Sequence, residues 1–586
     1  MNSHGRPQAD AADLVEVLDP RGRKEITRIH ARRLSSLKGK RIGLISNDMW
    51  QADGMLSALH EALRAEFPET TFLSHDLFPR GNSNIDSPSL IDAVRTQSID
   101  AAIVGNAACG ACSTSVGGAA ARLEEAGIPT VVLARDTFAD VTRNAFSSRG
   151  FAPDACLVTF PIGQFLASGD PAKAAGATSA VGTGLTEWTP EADEATGEEA
   201  PRIALPKVDD QMGFVRQANR LFLNIGCGDG LPLYPPTDDL VDWVLQGSDL
   251  PRDHVIGRIM PRNGLATVET IAVSLAMAGG RPEYLPVLIA AVEAMLDPRM
   301  EHGKAQANSG SPFPVVIVNG PAADQIRLNA GFGLLGPDPR QPAGAAIGRA
   351  LRLLLQNVGG VLPGQGTMAA YGSMRYTNAV FAEAEDQLPK SWAPLSSDFG
   401  IPRGTNSVTV FAAVGGVSMP RRAISADSLE NEIANGLHRV AAYLRTPNRD
   451  YVVGWANGTP GAVLISPTVA RQLAALGWSK KMLQETLWDY ARVSGDVVEK
   501  AGLVEWIRAA PDESTRAGPI DPWPICREPR QILVAVAGGD HPSNHFWFPA
   551  DAPHVSVRAF DVPQAWDRLL SDAETDLGPG GSACRL

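Results

Sequence analysis

Residues 103–114 read Ile-Val-Gly-Asn-Ala-Ala-Cys-Gly-Ala-Cys-Ser-Thr, an apolar strand that runs into two cysteines at C-x-x-C spacing. A helical segment follows, so Cys109 and Cys112 stand where a strand gives way to the N-terminus of a helix. Backbone N–H groups and the helix dipole at that position favour a thiolate and lower the pKa of a thiol. Because the thiolate is the nucleophilic form of cysteine, the pattern predicts a reactive thiol pair at one edge of a sheet.

The segments around this stretch alternate between short apolar strands and helices. Strands are predicted over 41–45, 71–74, 101–105, 130–134 and 156–160, and helices over 55–66, 90–96, 116–126 and 141–147. This alternation predicts an α/β domain with a flavodoxin- or Rossmann-like parallel sheet covered on both faces. With the flavodoxin strand order, the loops after the first and third strands meet at the ligand-binding crevice. Those loops carry Asn47-Asp48 and the two cysteines.

Length and composition exclude several classes of protein. At 586 residues the chain is too long for one hydrophobic core, so two or more domains are expected. A net charge of −13 argues against nucleic acid or an anionic membrane as the main partner. No apolar run reaches the ~20 residues that a membrane span needs. The polar N-terminus and six scattered cysteines indicate a reducing, cytoplasmic setting rather than a disulfide framework.

The domain organisation follows from shifts in composition. We expect a flexible arm over 1–37, the thiol-bearing α/β domain over 38–167, a linker over 168–204, a larger α/β or α+β domain over 205–563 and a tail over 564–586. Helices of the second region are predicted over 267–278, 284–296, 345–357, 429–445 and 480–494, and strands over 315–318, 407–412 and 531–537. The first and last of these strands each lead into a polar, glycine-containing turn, which suggests the hypothesis of a weak internal duplication.

Several polar residues of the second region are candidate ligands of a substrate. Asn319 lies in the turn after the strand 315–318. Arg349 and Arg352 share one helical face and could grip a carboxylate, although a solvated helix face explains them equally well. Glu383 and Glu385 fall on one side of an extended segment, where either could act as a base; solvated surface carboxylates are the plainer interpretation.

The remaining cysteines and histidines have ordinary explanations. Cys156 lies inside a predicted strand, Cys227 lies in a glycine-rich turn, and Cys526 and Cys584 have no supporting context. The segment Asp540-His541-Pro542-Ser543-Asn544-His545 could hold a metal or supply an acid or base, but Pro542 breaks the helix that an H-x-x-x-H zinc motif requires. Cys109 and Cys112 could themselves be buried core residues, and no second C-x-x-C is present to complete a zinc site.

The CGAC block resembles the UGSC-like proteins, a family named for a selenocysteine or cysteine followed by Gly, Ser and Cys. Ala111 stands here in the place of Ser. The resemblance continues through Leu123-Glu124, Gly127 to Thr130, Asp136-Thr137-Phe138 and Phe160-Pro161-Ile162-Gly163, where this chain has Phe160 in place of a frequent histidine. The second region resembles the domain that accompanies this one in longer members, from Val315 to Pro321, Asn329 to Gly333, Ile347 to Arg349, Asn357, Tyr371 to Thr377, Glu383 and Trp392 to Leu395.

The resemblance implies a reactive first position, which maps to Cys109. For two-domain members of this size it also implies desulfhydration of a thiohydantoin-propionate from ergothioneine breakdown. We therefore expect a hydrolytic desulfhydrase acting on a carboxylate-bearing thioxo heterocycle, with Cys109 as nucleophile and Cys112 tuning or protecting it. Backbone N–H groups from Gly110 to Ser113, with Thr114, would bind the developing charge. Asp48 or Asp136 could supply a base, with Asn47, Asn319, Arg349, Arg352 and Glu383 around the substrate.

This chemistry requires no cofactor and no metal, and its partner is a small-molecule thioxo substrate. A homo-oligomer is plausible on base rates alone. Two other functions stay open at this point. One is a dithiol/disulfide oxidoreductase that uses Cys109 and Cys112, and the other is a metal- or ligand-binding protein that uses the thiols with Asp540, His541 and His545.

Overall fold

In this computed structural model the chain is described over residues 14–191, 201–208, 210–420, 429–445, 455, 458–508, 513–518, 521–541, 544–551 and 554–578. The strands in these residues are β1 (Leu14–Leu18), β2 (Arg41–Ser46), β3 (Thr71–Leu73), β4 (Ala101–Ala107), β5 (Thr130–Arg135), β6 (Leu157–Phe160), β7 (Arg202–Pro206), β8 (Val255–Ile259), β9 (Gly264–Thr267), β10 (Phe313–Asn319), β11 (Ala379–Ala382), β12 (Ser407–Ala413), β13 (Val417–Pro420), β14 (Gly461–Ile465), β15 (Ile532–Val536), β16 (Asn544–Pro549) and β17 (Ser556–Ala559).

The α-helices of the described residues cover both faces of the N-terminal sheet and the outer faces of two further sheets. In chain order they are α1 (Ala52–Glu66), α2 (Asn82–Ile85), α3 (Pro88–Gln97), α4 (Gly110–Glu125), α5 (Ala139–Ser147), α6 (Thr178–Thr186), α7 (Gln211–Asn224), α8 (Asp238–Leu245), α9 (Val268–Met277), α10 (Leu285–Met295), α11 (His302–Ala307), α12 (Pro321–Gln325), α13 (Ala343–Asn357), α14 (Leu429–Leu444), α15 (Pro467–Ala475), α16 (Lys480–Tyr490), α17 (Gly495–Lys500), α18 (Val504–Arg508), α19 (Glu513–Arg516) and α20 (Trp566–Leu577).

The N-terminal sheet is a five-stranded parallel sheet with the order β3-β2-β4-β5-β6. Its strands β2, β4 and β5 are apolar and mostly buried, as expected of a sheet covered on both faces. One face packs against α3, α4 and α5, and the other against α1 and α6. The prediction of an α/β domain with a flavodoxin-like sheet is confirmed, and the reversal of strand order falls between β2 and β4.

The largest boundary error in this domain lies at α4. A helix start at 116 was expected, but the helix begins at Gly110. Small residues fill its first two turns, which hides the apolar periodicity that normally indicates a helix. Cys109 caps the helix by accepting a hydrogen bond from the Cys112 N–H on its sulfur. The Cys109 thiol therefore sits at the helix N-terminus itself.

Parts of the predicted arm and linker carry regular structure. Strand β1 pairs antiparallel with β7, and the backbone N–H of Thr27 donates to the carbonyl of Gly150. Within the predicted linker, α6 buries Val181 and Leu185 against the N-terminal sheet. In the predicted tail, α20 buries Trp566 and Leu569. Long-range apolar contacts, invisible to local composition, order these segments, whereas residues 579–586 lie outside the described part.

The second region contains two four-stranded mixed sheets with one topology. The first sheet has the order β11-β10-β12-β17, and the second has the order β15-β14-β16-β13 when read from its parallel edge. In each, a parallel pair is followed by two antiparallel partners. The fourth strands are exchanged: β13 follows β12 in the chain but joins the second sheet, and β17 follows β16 but joins the first.

The two sheets pack face to face between two layers of helices. Alternate residues of both sheets meet in one core, where the ring of Phe548 lies 6.3 Å from that of Phe381. The outer face of the first sheet packs against α9, α10 and α13. The outer face of the second packs against α14, α15 and α16. The predicted larger α/β or α+β domain is therefore a four-layer helix–sheet–sheet–helix sandwich.

Candidate thiol site

The thiol pair lies at the crevice where strand order reverses. Cys109 follows β4 and is partly exposed, whereas Cys112, in the first turn of α4, is buried. The backbone N–H of Cys112 lies 3.3 Å from the Cys109 sulfur. A parallel sheet and the N-terminus of a long helix thus fix the position of both sulfurs.

The environment of Cys109 stabilises its thiolate. A hydrogen bond from the Cys112 thiol has the largest effect, burial opposes it, and the backbone N–H groups of Cys112 and Ala111 and the side chain of Trp50 add to it. The pKa of Cys109 is lowered to about 6. The same hydrogen bond, burial and the charge of Cys109 raise the pKa of Cys112. At neutral pH the pair is therefore one thiolate held by one neutral thiol.

Two residues that the sequence analysis missed contact the sulfurs. Trp50, in the loop after β2, makes a side-chain hydrogen bond to Cys109 and to Cys112. Asn82, at the start of α2, donates from Nδ2 to the Cys112 sulfur at 3.5 Å. Neither residue belongs to a recognisable motif, and only their place after β2 and β3, next to the β4 edge, could have suggested them.

Asn47, a predicted substrate ligand, organises this crevice. Its Nδ2 donates to Asn82 Oδ1 and to the carbonyl of Asn106, both at 3.0 Å, and its Oδ1 accepts from the Asn106 N–H at 2.8 Å. Asn47 is completely buried. These bonds join the loops after β2 and β3 to the end of strand β4, so Asn47 acts as a support for the thiol loop. The buried Asn106 Oδ1 has no hydrogen-bond partner among the described residues.

The two predicted bases are placed differently. Asp48 is exposed and accepts a hydrogen bond from Arg80 at 2.9 Å. Arg80 also contacts Asp53, so this edge of the crevice holds a charged network. Asp136 follows β5, is exposed, and accepts the N–H of Thr137 in its own turn at 2.6 Å. Their catalytic role stays a prediction.

Gly110, Ser113 and Thr114, which were also predicted as site residues, lie at the start of α4. Gly110 contributes its carbonyl to the Thr114 hydroxyl at 3.1 Å. The Ser113 N–H donates to the Cys109 carbonyl, and the buried Ser113 Oγ has no partner among the described residues. Ser113 and Thr114 therefore lie beside the thiols, while the backbone N–H groups that touch the Cys109 sulfur belong to Ala111 and Cys112.

The second region contacts this turn directly. A Cβ built on Gly110 would lie 1.8 Å from the carbonyl oxygen of Ala307, at the end of α11, and 3.3 Å from the Cα of Asn308. Helices α4 and α11 pack against each other here. The thiol loop therefore lies at a contact between the two regions, and only a glycine fits at position 110.

Arg349 and Arg352 do not fit the role predicted for them. The guanidinium of Arg349 forms a two-pronged ion pair with the buried Asp229, at 2.8 and 3.0 Å. Arg352 is largely buried, donates to the Val361 carbonyl at 3.4 Å, and has its pKa lowered by burial. Both cations are engaged inside the second region, so the structure offers no support for their holding a substrate carboxylate.

Asn319 and Glu383 form a buried cluster at the end of β10 and β11. Asn319 Nδ2 donates to Glu383 at 2.7 Å and to Glu385 at 2.9 Å. Glu383 also accepts the N–H of Leu395 at 2.6 Å and that of Val536, across the two sheets, at 3.1 Å. Burial raises the pKa of Glu383. The interpretation of Glu383 as a solvated surface carboxylate is therefore wrong.

The histidine segment runs from the connection after β15, with Asp540 and His541, into β16 of the second sheet, with His545. Asp540 forms an ion pair with Arg471 at 2.9 Å, and His541 and His545 border a cleft of about 410 Å³ with Phe332 and Ser466. Across the described residues, no group of three or more His, Cys, Asp or Glu side chains is arranged to hold a metal. Pro542 and Ser543 lie outside the described residues, and so does Cys584.

Burial raises the pKa of Cys156 to about 12 and that of Cys227 to about 11, and it also raises that of Cys526.

Fold and site together define a flavodoxin-like domain with a thiolate at the N-terminus of the helix after its third strand. Residues 16–187 match the model of the UGSC family. This match confirms the resemblance drawn from the CGAC block for that part of the chain, while the second region lies outside the matched residues. Neither the curated proteins nor the solved structures include a significant match. Within the described residues, no helix has the length and apolar character to span a bilayer.

Proposed function

We propose that the chain is a cytoplasmic sulfur-handling enzyme, a desulfhydrase that hydrolyses the C=S bond of a small, carboxylate-bearing thioxo heterocycle such as a thiohydantoin-propionate. The observation that carries the proposal is the Cys109 thiolate at the head of α4, whose pKa is lowered to about 6. A thiolate at neutral pH is the nucleophile that such a reaction needs. The substrate class comes from the family resemblance, supported by the match over residues 16–187.

The reaction divides into two displacements at one carbon. The Cys109 thiolate attacks the C=S carbon, and the C=S electron pair moves to the exocyclic sulfur to give a tetrahedral adduct. A proton passes from the adjacent ring N–H to the exocyclic sulfur, HS⁻ departs with the C–S electron pair, and the nitrogen electron pair forms the C=N bond of a thioimidate between Cys109 and the substrate carbon. Water then adds across the C=N bond, with its hydroxyl on carbon and its proton on nitrogen; the Cys109 thiolate departs as the C=O bond forms, and the hydroxyl proton goes to HS⁻. The net change is C=S and water to C=O and hydrogen sulfide.

The residues around Cys109 have defined tasks in this scheme. The N–H groups of Ala111 and Cys112 and the side chain of Trp50 stabilise the thiolate as attacking and as leaving group. The neutral Cys112 thiol donates to the Cys109 sulfur and so tunes its nucleophilicity. No step consumes or produces electrons, so the reaction requires no external oxidant or reductant.

A second candidate is a dithiol/disulfide oxidoreductase. The observation that favours it is the direct hydrogen bond between the two thiol groups, with Cys109 partly exposed and Cys112 buried. A low-pKa exposed thiol beside a resolving thiol is the arrangement that dithiol exchange uses. In that case both cysteines are essential.

The test is sulfide release from a panel of thioxo compounds, including the thiohydantoin-propionate, with and without a reductant. We expect release without reductant, its loss in Cys109→Ser, and substantial turnover in Cys112→Ser, whose hydroxyl can still donate to Cys109. Cys156→Ser, at a buried thiol of the same domain, is the matched control. Full activity of Cys109→Ser would sink the proposal, and loss of turnover in both motif variants together with a need for reductant would favour the oxidoreductase.

A further inference from the structure

One guanidinium in the second region lies directly behind the segment that touches the thiol loop. Arg375 is 6% exposed. Its Nε donates to the Pro312 carbonyl at 2.7 Å, and its Nη1 and Nη2 donate to the carbonyls of Gln306 at 3.1 Å and Ala305 at 2.9 Å. Nη1 also donates to the Thr367 hydroxyl at 2.6 Å. The planar guanidinium of Arg375 thus hydrogen-bonds to three separate segments of the chain, at residues 305–306, 312 and 367.

The next carbonyl after these is the one that contacts Gly110. Ala305 and Gln306 are in the last turn of α11, where a cation is favourable because the helix carbonyls point towards it. Ala307 ends the helix, and its oxygen also accepts the N–H of Met368 at 3.4 Å. Arg375 therefore holds the two residues before Ala307 from one side, while Gly110 receives the Ala307 carbonyl on the other.

We propose that residues 305–309 of the second region form one wall of the Cys109 site, and that Arg375 is the positioning residue that holds this wall against the first turn of α4. This inference rests on the proposed function, in that the wall borders a nucleophilic thiolate. It gives the glycine of the CGAC block a role apart from redox or acid–base chemistry. Gly110 admits the neighbouring backbone at a distance that no side chain permits.

The consequence is that the two regions make one site. Replacing Arg375 by lysine frees the end of α11. A lysine has three donors on a flexible side chain and cannot reproduce the planar set of hydrogen bonds. The wall then moves away from Gly110, and Cys109 becomes more accessible to a small reagent. The hydrogen bonds that set the Cys109 pKa all come from the N-terminal domain, so the pH dependence of its reactivity stays the same.

Alkylation of Cys109 by iodoacetamide in the full-length protein, followed by peptide mass spectrometry from pH 5 to 9, tests the proposal. We expect Arg375→Lys and Gly110→Ala each to raise the limiting rate at pH 8 at least threefold, with Arg375→Lys leaving the apparent pKa unchanged. The controls are Arg216→Lys, at an exposed arginine, and Gly176→Ala, at a glycine with open space around it. Circular dichroism confirms that each variant is folded.

Wild-type alkylation rates in folded Arg375→Lys and Gly110→Ala would overturn the proposal. If Arg375→Lys does not fold, Gly110→Ala decides alone, because it perturbs the same contact from the opposite side. The double variant adds a further check, since two changes at one contact are expected to be non-additive. Alkylation needs no substrate, so a chain that releases no sulfide from any thioxo compound still gives a result on the wall.

Discussion

The side chain of Trp50, which lies outside the CGAC block, contributes to the environment of both thiols. Asp48, Trp50 and Gln51 all have a positive φ, between 55° and 59°, and none is a glycine. Each such residue costs about 1 kcal/mol or more relative to ordinary backbone. Three of them in one short loop are consistent with a loop held in position for function, and the loop presents the Trp50 side chain to both sulfurs.

Replacing Trp50 by phenylalanine removes this hydrogen bond while keeping an aromatic ring. We expect the pKa of Cys109 to rise, so that a smaller fraction is thiolate at pH 6.5 and alkylation is about threefold slower there. At pH 9 the rates of the variant and the wild type should converge, because the thiol is ionised in both. Trp243→Phe, at a tryptophan of the second region, is the control. Superimposable pH profiles of Trp50→Phe and wild type would contradict this role.

At this scale the sequence predicted the position of the thiol pair at the start of a helix, but few of the side chains that contact it. Cys109, Cys112 and Asn47 could be found because each follows a strand that is recognisable as an apolar run. Trp50 and Asn82 could not, because they reach the sulfurs from the connections after β2 and β3 and the contact depends on the tertiary fold. The ion pair of Arg349 was hidden for the same reason: its partner, Asp229, lies 120 residues away.

Among the elements, the junction of β11 with the neighbouring sheet depends on one carboxylate. Both oxygens of Glu383 are used: Oε2 accepts from Leu395 and Asn319, and Oε1 accepts from Val536. In Glu385, by contrast, a single oxygen accepts from Asn319 and Gly320. The two glutamates are therefore unequal, although they stand only one residue apart.

Substitution by glutamine should lower the free energy of unfolding more at Glu383 than at Glu385. In Glu383→Gln the new amide group faces an N–H donor, so we expect the free energy of unfolding to fall by about 2–4 kcal/mol. In Glu385→Gln the remaining oxygen can still accept both bonds, and a loss of about 1 kcal/mol or less is expected. Urea unfolding followed by circular dichroism measures both. Equal destabilisation by the two variants would show that Glu383 does not have this bridging role.

Strands were predicted correctly where every residue is buried, because a continuous apolar run is visible in the sequence. The correspondence between strands of the two sheets was not, because it depends on which strands pair. The predicted strand 315–318 lies inside β10, and 407–412 lies inside β12. The hypothesis of a duplication compared the turn after 315–318 with the turn after 531–537. In the structure the topological equivalent of β10 is β14, and that of β15 is β11. The polar turns of those two equivalents, which begin at Ser466 and Glu383, have no glycine directly after the strand that would have revealed the correspondence.

For the whole molecule, the exchanged strands make the two sheets of the second region mutually dependent. Without β17 the strand β12 becomes an unpaired edge, and without β13 the same is true of β16. Unpaired edges of apolar strands are sites of aggregation. The core between the sheets, with Phe313, Phe411 and Phe548, is also shared.

Cutting the second region between Pro420 and Leu429 tests this dependence. Expressed separately, residues 201–420 and 429–586 should each be insoluble or unfolded, because each lacks an edge strand and half of the shared core. Co-expressed, they should purify as a 1:1 complex with the circular dichroism of the intact region. Size-exclusion chromatography provides the measurement. A soluble, cooperatively unfolding 201–420 fragment would contradict the prediction.

The exchange also has a consequence in time. Synthesis is vectorial, and about 140 residues separate the end of β12 at Ala413 from the start of β17 at Ser556. At about 5–20 residues per second, the ribosome needs roughly 7–30 s to add them. During that interval the two-sheet sandwich of the nascent chain is incomplete, because the edge strand β17 has not yet been synthesised. Slower translation prolongs this exposure, so the yield of native protein should depend on chaperone capacity more strongly than the stability of the finished fold suggests.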